Sequence, residues 1–137
     1  MKIKLGDVIV GKLGAAVVGP ALSRAFAFSI WAQANAPWWI GDLVVLALER
    51  YGDDAFEQLG VPFHMVDAVE RWRAVAAKVP REVRRDDVSW SAHAAVANLP
   101  PVEQRNILSR AADGLLNLKE VQELAKQRRT ELREANR

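Results

Sequence analysis

Prolines and glycines punctuate this chain at short intervals, and the segments between them carry apolar side chains at helical spacing. The breakpoints are Gly19-Pro20, Pro37, Gly52, Gly60, Pro62, Pro80, Pro100-Pro101 and Gly114. A residue that interrupts a helix, set beside an apolar run of period 3.6, marks where one helix ends and the next begins. Residues 21–35 repeat apolar side chains at 22, 26, 30 and 31. Pro37 is suited to open a second helix, which runs to Tyr51 and is apolar on most sides, so deep burial is expected. Asp53 is placed to cap a short helix ending at Gly60. A longer helix is expected from Pro62 to Val79, with Phe63, Val66, Val69, Trp72, Val75 and Ala76 as its inward stripe. Ser89 is a natural N-cap for the next helix, Pro101 starts another that ends at Gly114, and Asn117 with Glu120 makes a capping pair for the last. The expected fold is mainly α, a multi-helix bundle containing a helix-turn-helix, with a short extended or β-hairpin N-terminal arm.

Three segments follow from this reading. Residues 1–20 form the arm, because Ile3, Leu5, Val8 and Val10 are set among glycines. Residues 21–127 form a helical DNA-binding domain, and residues 128–137, mostly polar or charged, a helical tail. Lys2 and Lys4 before an apolar stretch imitate a secretory signal, but Asp7, Lys12, Gly14, Gly19, Pro20 and Arg24 interrupt it. The apolar run from Trp38 to Leu48 contains Asp42 and is too short for a bilayer. A cytoplasmic chain without a membrane segment is therefore expected.

The residue inventory argues against catalysis. The 137 residues hold no cysteine, and their two histidines, His64 and His93, lie far apart, so neither a metal nor another cofactor is expected. Ser89 and Ser91 near His93 lack a third triad member and oxyanion donors, and capping accounts for them better. His93 is expected to be structural. Trp38, Trp39, Trp72 and Trp90 are assigned to the core, and Trp31 to a dimer contact. No enzymatic activity is expected.

The formal net charge of +2 conceals segregation. Residues 42–70 carry Asp42, Glu49, Asp53, Asp54, Glu57, Asp67 and Glu70 against Arg50, a net −6. Residues 71–85 carry Arg71, Arg73, Lys78, Arg81, Arg84 and Arg85 against Glu82, a net +5. A compact basic block suits an anionic partner. The short helix, Gly60 and the longer helix after it have the pattern of a helix-turn-helix, whose second helix meets base edges with its N-terminal residues. Those residues are Phe63, His64 and Asp67, with Arg71 one turn on. Arg71, Arg73, Lys78, Arg81, Arg84 and Arg85 are then the phosphate contacts.

The stretches EQLGVPFHMVDAVERWRAVAAKVPREV and VSWSAHAAVANLPPVEQRNILSRAADGLLNLKEVQELAKQ resemble the DNA-binding part of ParB-like partition and repressor proteins. The preceding WWIGDLVVLALERYGDDAFEQ is closer to LmbU-like regulators of actinobacteria and related phage proteins, through Trp38, Trp39, Gly41, Asp42, Glu49, Tyr51 and Gly52, with Trp90 and His93 matching further on. The resemblance covers residues 37–127. It implies a transcriptional regulator or partition-type module that binds double-stranded DNA as a homodimer, through the arm or the helix around Trp31. No ParB nucleotide-binding domain precedes the motif, so nucleotide hydrolysis is not implied. Because the recognition helix starts with Phe63, Met65, Val66 and Asp67, the alternative is a protein–protein adaptor or antirepressor on a degenerate helix-turn-helix scaffold.

Overall fold

A computed structural model describes residues 20–137, so all but the last residue of the expected arm lies outside the described residues. The described chain is mainly α and contains no strand. Helix α1 spans Pro20–Tyr51 and a 3-10 turn spans Gly52–Asp54. Helix α2 follows at Ala55–Leu59, a second 3-10 turn at Phe63–Met65, and α3 at Val66–Lys78. Helices α4 (Trp90–Val96), α5 (Pro101–Ala112) and α6 (Leu118–Ala135) complete it. Chain contacts divide the protein at Pro37 into a unit of residues 1–36 and a unit of residues 37–137.

Within the first unit the described residues are the leading part of α1. The expected break at Pro37 is absent, and the proline sits inside one 32-residue helix. A proline in a helix interior removes one backbone hydrogen bond and crowds the preceding turn, a cost of about 3 kcal/mol. The helical propensity of the alanine-rich stretch before it opposes that cost.

The second unit holds the core, formed by Val75, Val79, Val83, Val96, Leu99, Ile107, Leu108, Val121 and Ala125. The α1 segment after Pro37 is less buried than its composition predicts. Gly41, Val44 and Ala47 face inward at three-residue steps, while Leu43 and Leu46 are 59% and 50% exposed. Trp39 is 44% exposed, because consecutive helical residues point about 100° apart and Trp38 takes the inward position. Asp53 does not cap α2. It lies in the 3-10 turn, where the Ala55 N–H donates to the Gly52 carbonyl.

Local signals fare better at the other helix ends. Gly60 adopts φ 67°, and the Gly60 and Val61 amides donate to the Glu57 and Phe56 carbonyls at 3.0 and 3.1 Å, a Schellman closure of α2. Ser89 Oγ accepts from the Ala92 amide at the start of α4. Asn117 and Glu120 exchange two side-chain-to-backbone hydrogen bonds, a complete capping box for α6. Gln104, fully buried on α5, donates through Nε2 to the carbonyls of Lys78, Ala97 and Leu99 at 3.0, 3.2 and 3.0 Å. Helix C-termini leave carbonyls without intrahelical partners. One amide thus satisfies such groups at the ends of both α3 and α4 and locks them to α5.

The expected charged tail is the continuation of α6. Arg128 donates to both Glu103 oxygens, Arg129 reaches the Ala95 carbonyl, and Leu132 packs against the core. Within the tail, the residues from Arg133 onward are the exposed ones.

Gly41 sits where α1 meets α3, and a Cβ added there would lie 2.5 Å from the Trp72 carbonyl oxygen and 2.8 Å from Ala76 Cβ. Backbone cannot yield as a flexible side chain can. Gly41→Ala is expected to lower unfolding free energy by about 2–3 kcal/mol, read as a shifted urea midpoint. An unchanged midpoint would mean that the two helices are not in close contact.

Candidate functional site

The basic block does not behave as one surface, because its members face different neighbours. Arg84 is turned inward with its side chain 15% exposed. Its Nη1 and Nη2 donate to the two Asp42 oxygens at 2.8 and 2.9 Å. Its Nε donates to the Val79 carbonyl at 3.0 Å, and Nη2 also to the Ala76 carbonyl at 3.0 Å. The guanidinium lies 4.3 Å from the centre of the Trp38 ring. A planar, five-donor group can make a bidentate ion pair, cap two carbonyls and stack on an aromatic face together; a lysine cannot.

His93 packs against the same tryptophan. Its ring meets Trp38 edge-on at 5.1 Å and is fully buried. Nε2 accepts from the Arg85 amide at 3.0 Å, which leaves the ring proton on Nδ1, donating to the Ser89 carbonyl at 2.7 Å. Burial pushes the His93 pKa below its ordinary value, against the opposing pull of the Ser89 carbonyl. Trp38, Asp42, Arg84, Ser89 and His93 are therefore one structural cluster. Arg84, expected to contact phosphate, is its centre.

The other candidate residues remain at the surface to different degrees. Phe63 is 95% exposed, outside the inward stripe of α3, and His64 and Asp67 are exposed beside it. Pro62 starts the helix with ψ 140°, so Phe63 falls in a 3-10 turn whose side chain has no core to enter. Arg73 binds Glu70 through two hydrogen bonds of 2.8 and 2.5 Å, holding that carboxyl below its usual pKa. Arg85 binds Asp87 in the same bidentate way at 2.9 Å. Arg81 is 81% exposed and only 3.8 Å from Asp42 at its nearest approach. Arg71 rests 5.2 Å from the Trp90 ring, and Lys78 donates to Asn98 Oδ1 at 2.8 Å.

Arg71 and Lys78 are brought together on an open groove of about 430 Å³ between α3, α4 and α6, with Ser91, Asn98 and Gln122 across from them. Asp67 and Arg71, four residues apart, share that side of α3 with Lys78. The sequence carries no signal for Asn98 and Gln122, and gives Ser91 only a capping role, because the three come from α4, the turn after it and α6 and have no common spacing. Among the described residues no group of three His, Cys, Asp or Glu side chains is arranged to hold a metal ion. No family model, curated protein or solved structure matches the chain.

Two measurements probe the cluster. Arg84→Met leaves Asp42 and two carbonyls without their donor, and is expected to cost about 2–4 kcal/mol of stability. In a double-mutant cycle with Asp42→Asn the two losses should fall well short of additive; additivity would mean that the pair does not interact. His93 has a lower pKa folded than its 6.5 reference, so below that pH the unfolded chain binds the extra proton. Stability is expected to be full above about pH 6.5 and to decline as pH falls below it. His93→Gln should flatten that decline.

Proposed function

We propose that this protein binds double-stranded DNA with α3 as its recognition helix, as a regulator or partition-type module. The observation that carries the reading is the exposed leading end of α3, with Phe63, His64 and Asp67 in solvent just beyond the Gly60 closure of α2. In a helix-turn-helix those positions enter the major groove. Phe63 offers an apolar contact of the kind made to a thymine methyl, and Asp67 can accept from a cytosine amine. Arg71, Lys78 and Arg81 supply the phosphate contacts. Arg73 and Arg85 share their charge with neighbouring carboxylates, and Arg84 belongs to the interior.

This assignment makes the salt dependence quantitative. Three phosphate contacts per bound copy predict a slope of log affinity against log salt near −3, and six predict one near −5. Arg71→Ala with Lys78→Ala should weaken binding to every duplex and reduce the slope by about two units. His64→Ala should act only on a preferred sequence. A gel shift at two or more salt concentrations measures all of these. Absence of a complex with any duplex at low salt rules out this reading and favours the protein-adaptor alternative.

A further inference from the structure

The groove between α3, α4 and α6 lies within residues 37–137 and carries cations without acids. Arg71 and Lys78 stand on its α3 side, Ser91 on α4, Asn98 just after α4, and Gln122 on α6. Small side chains, Ala74, Ala94, Ala95 and Ala97, make room for it. Among the described residues, no Asp or Glu lines it. Asp67, one turn before Arg71, is not among its residues, and Glu70 is held by Arg73. Both cations are positioned by neighbours that leave donors over. The Trp90 ring supports one face of the Arg71 guanidinium, whose N–H edge has no hydrogen-bond partner among the described residues. Lys78 Nζ spends one of its three donors on Asn98 Oδ1 at 2.8 Å. Arg129 on α6 reaches the carbonyl of Ala95, which brings a third cation to a lining residue. The Lys78 and Ala97 carbonyls, where α3 and α4 end, are occupied by Gln104, which reduces the negative charge those ends would turn toward an anion.

We infer that this groove binds an extended acidic segment of a partner protein. The inference is independent of duplex binding, although the two occupants would compete for Arg71 and Lys78. Those cations are seven residues apart on α3, about 10 Å along the helix axis. Acids at alternate positions of an extended chain share one face at intervals of about 7 Å, so three of them span about 13 Å and reach both cations. The Gln122 amide and the Ser91 hydroxyl have no partner among the described residues. Each can donate and accept, which suits the N–H and C=O groups of a peptide. A deoxyribose-phosphate backbone offers them acceptors alone. A small anion is disfavoured because Arg71, Lys78, Ser91, Asn98 and Gln122 are all exposed, so the groove covers one side of its occupant and does not enclose it. Residues 1–19 of this chain, outside the described residues, carry Lys2, Lys4 and Lys12 against Asp7, the wrong sign for the groove.

The test titrates the full chain, at low salt, into the peptide acetyl-Glu-Ala-Glu-Ala-Glu labelled at its C-terminus with fluorescein, and follows anisotropy. Saturable binding is expected, weakened about tenfold when Gln replaces each Glu. The block isomer Glu-Glu-Glu-Ala-Ala should bind several-fold more weakly, because its acids do not share one face of an extended chain. Arg71→Ala with Lys78→Ala should abolish binding. Gln122→Leu should weaken the peptide about fivefold and leave duplex affinity unchanged. Peptide binding without any duplex complex refutes the DNA reading and supports this one; a duplex complex without peptide binding does the reverse. Amide chemical-shift changes at Ser91, Asn98 and Gln122 of the wild type locate the peptide without any substitution. Shift changes confined to other residues, equal binding of the two isomers, or no saturation would overturn the inference. So would self-association that Gln122→Leu abolishes, since Glu49, Asp53, Asp54 and Glu57, exposed on a second copy, would then be the occupant.

Discussion

The arrangement of residues 37–137 depends on one guanidinium. Arg84 follows α3 in a segment without regular secondary structure, yet it reaches Asp42 on α1, the end of α3 at Ala76 and Val79, and the face of Trp38. A charge largely withdrawn from water is stable there when its donors are matched and a counter-charge is near. Both conditions are met. The same contacts explain why Trp38, Gly41 and Asp42 stand close together on one helix. The tryptophan provides the stacking face, the glycine lets α1 approach the α3 backbone, and the aspartate provides the counter-charge.

Removing Arg84 from the basic block changes what the block can do. Its positive charge comes from six cations with one glutamate, but ionic partners on α1, on α3 itself and at Asp87 redistribute it. What stays available is concentrated at Arg71, Lys78 and Arg81. Two of these line a groove to which α4 and α6 contribute polar side chains. On the proposed DNA-binding reading, the interface is narrower than net charge implies, and α3 is led by an apolar and an acidic residue. Such a surface would depend more on base-edge complementarity and less on counterion release than a strongly basic one.

Gln104 and His93 illustrate a second economy of the fold. Each is a polar side chain with no solvent exposure, and each ties together elements that apolar contacts alone would leave free to slide. Gln104 ties α5 to the ends of α3 and α4 by binding carbonyls there. His93 joins the start of α4 to the loop after α3 through a single tautomer. The helices α4 and α5 are short, 7 and 12 residues, so packing against neighbours and end-to-end ties must replace the cooperativity that long helices possess.

Local chemistry alone determined the helical class, most helix ends and the caps. Gly60, Ser89, Pro101, Gly114 and the Asn117–Glu120 pair act through bonds within a few residues, which sequence spacing specifies directly. His93 could likewise be read as structural from the lack of a paired acid. Tertiary structure decided the continuity of α1 through Pro37, the outward placement of Phe63 and Trp39, and the division of labour among the arginines. Those outcomes turn on partners distant in sequence. Arg84 and Arg85 are adjacent and chemically identical, and only the position of Asp42, forty-two residues before Arg84, sends one into the interior and leaves the other at the surface.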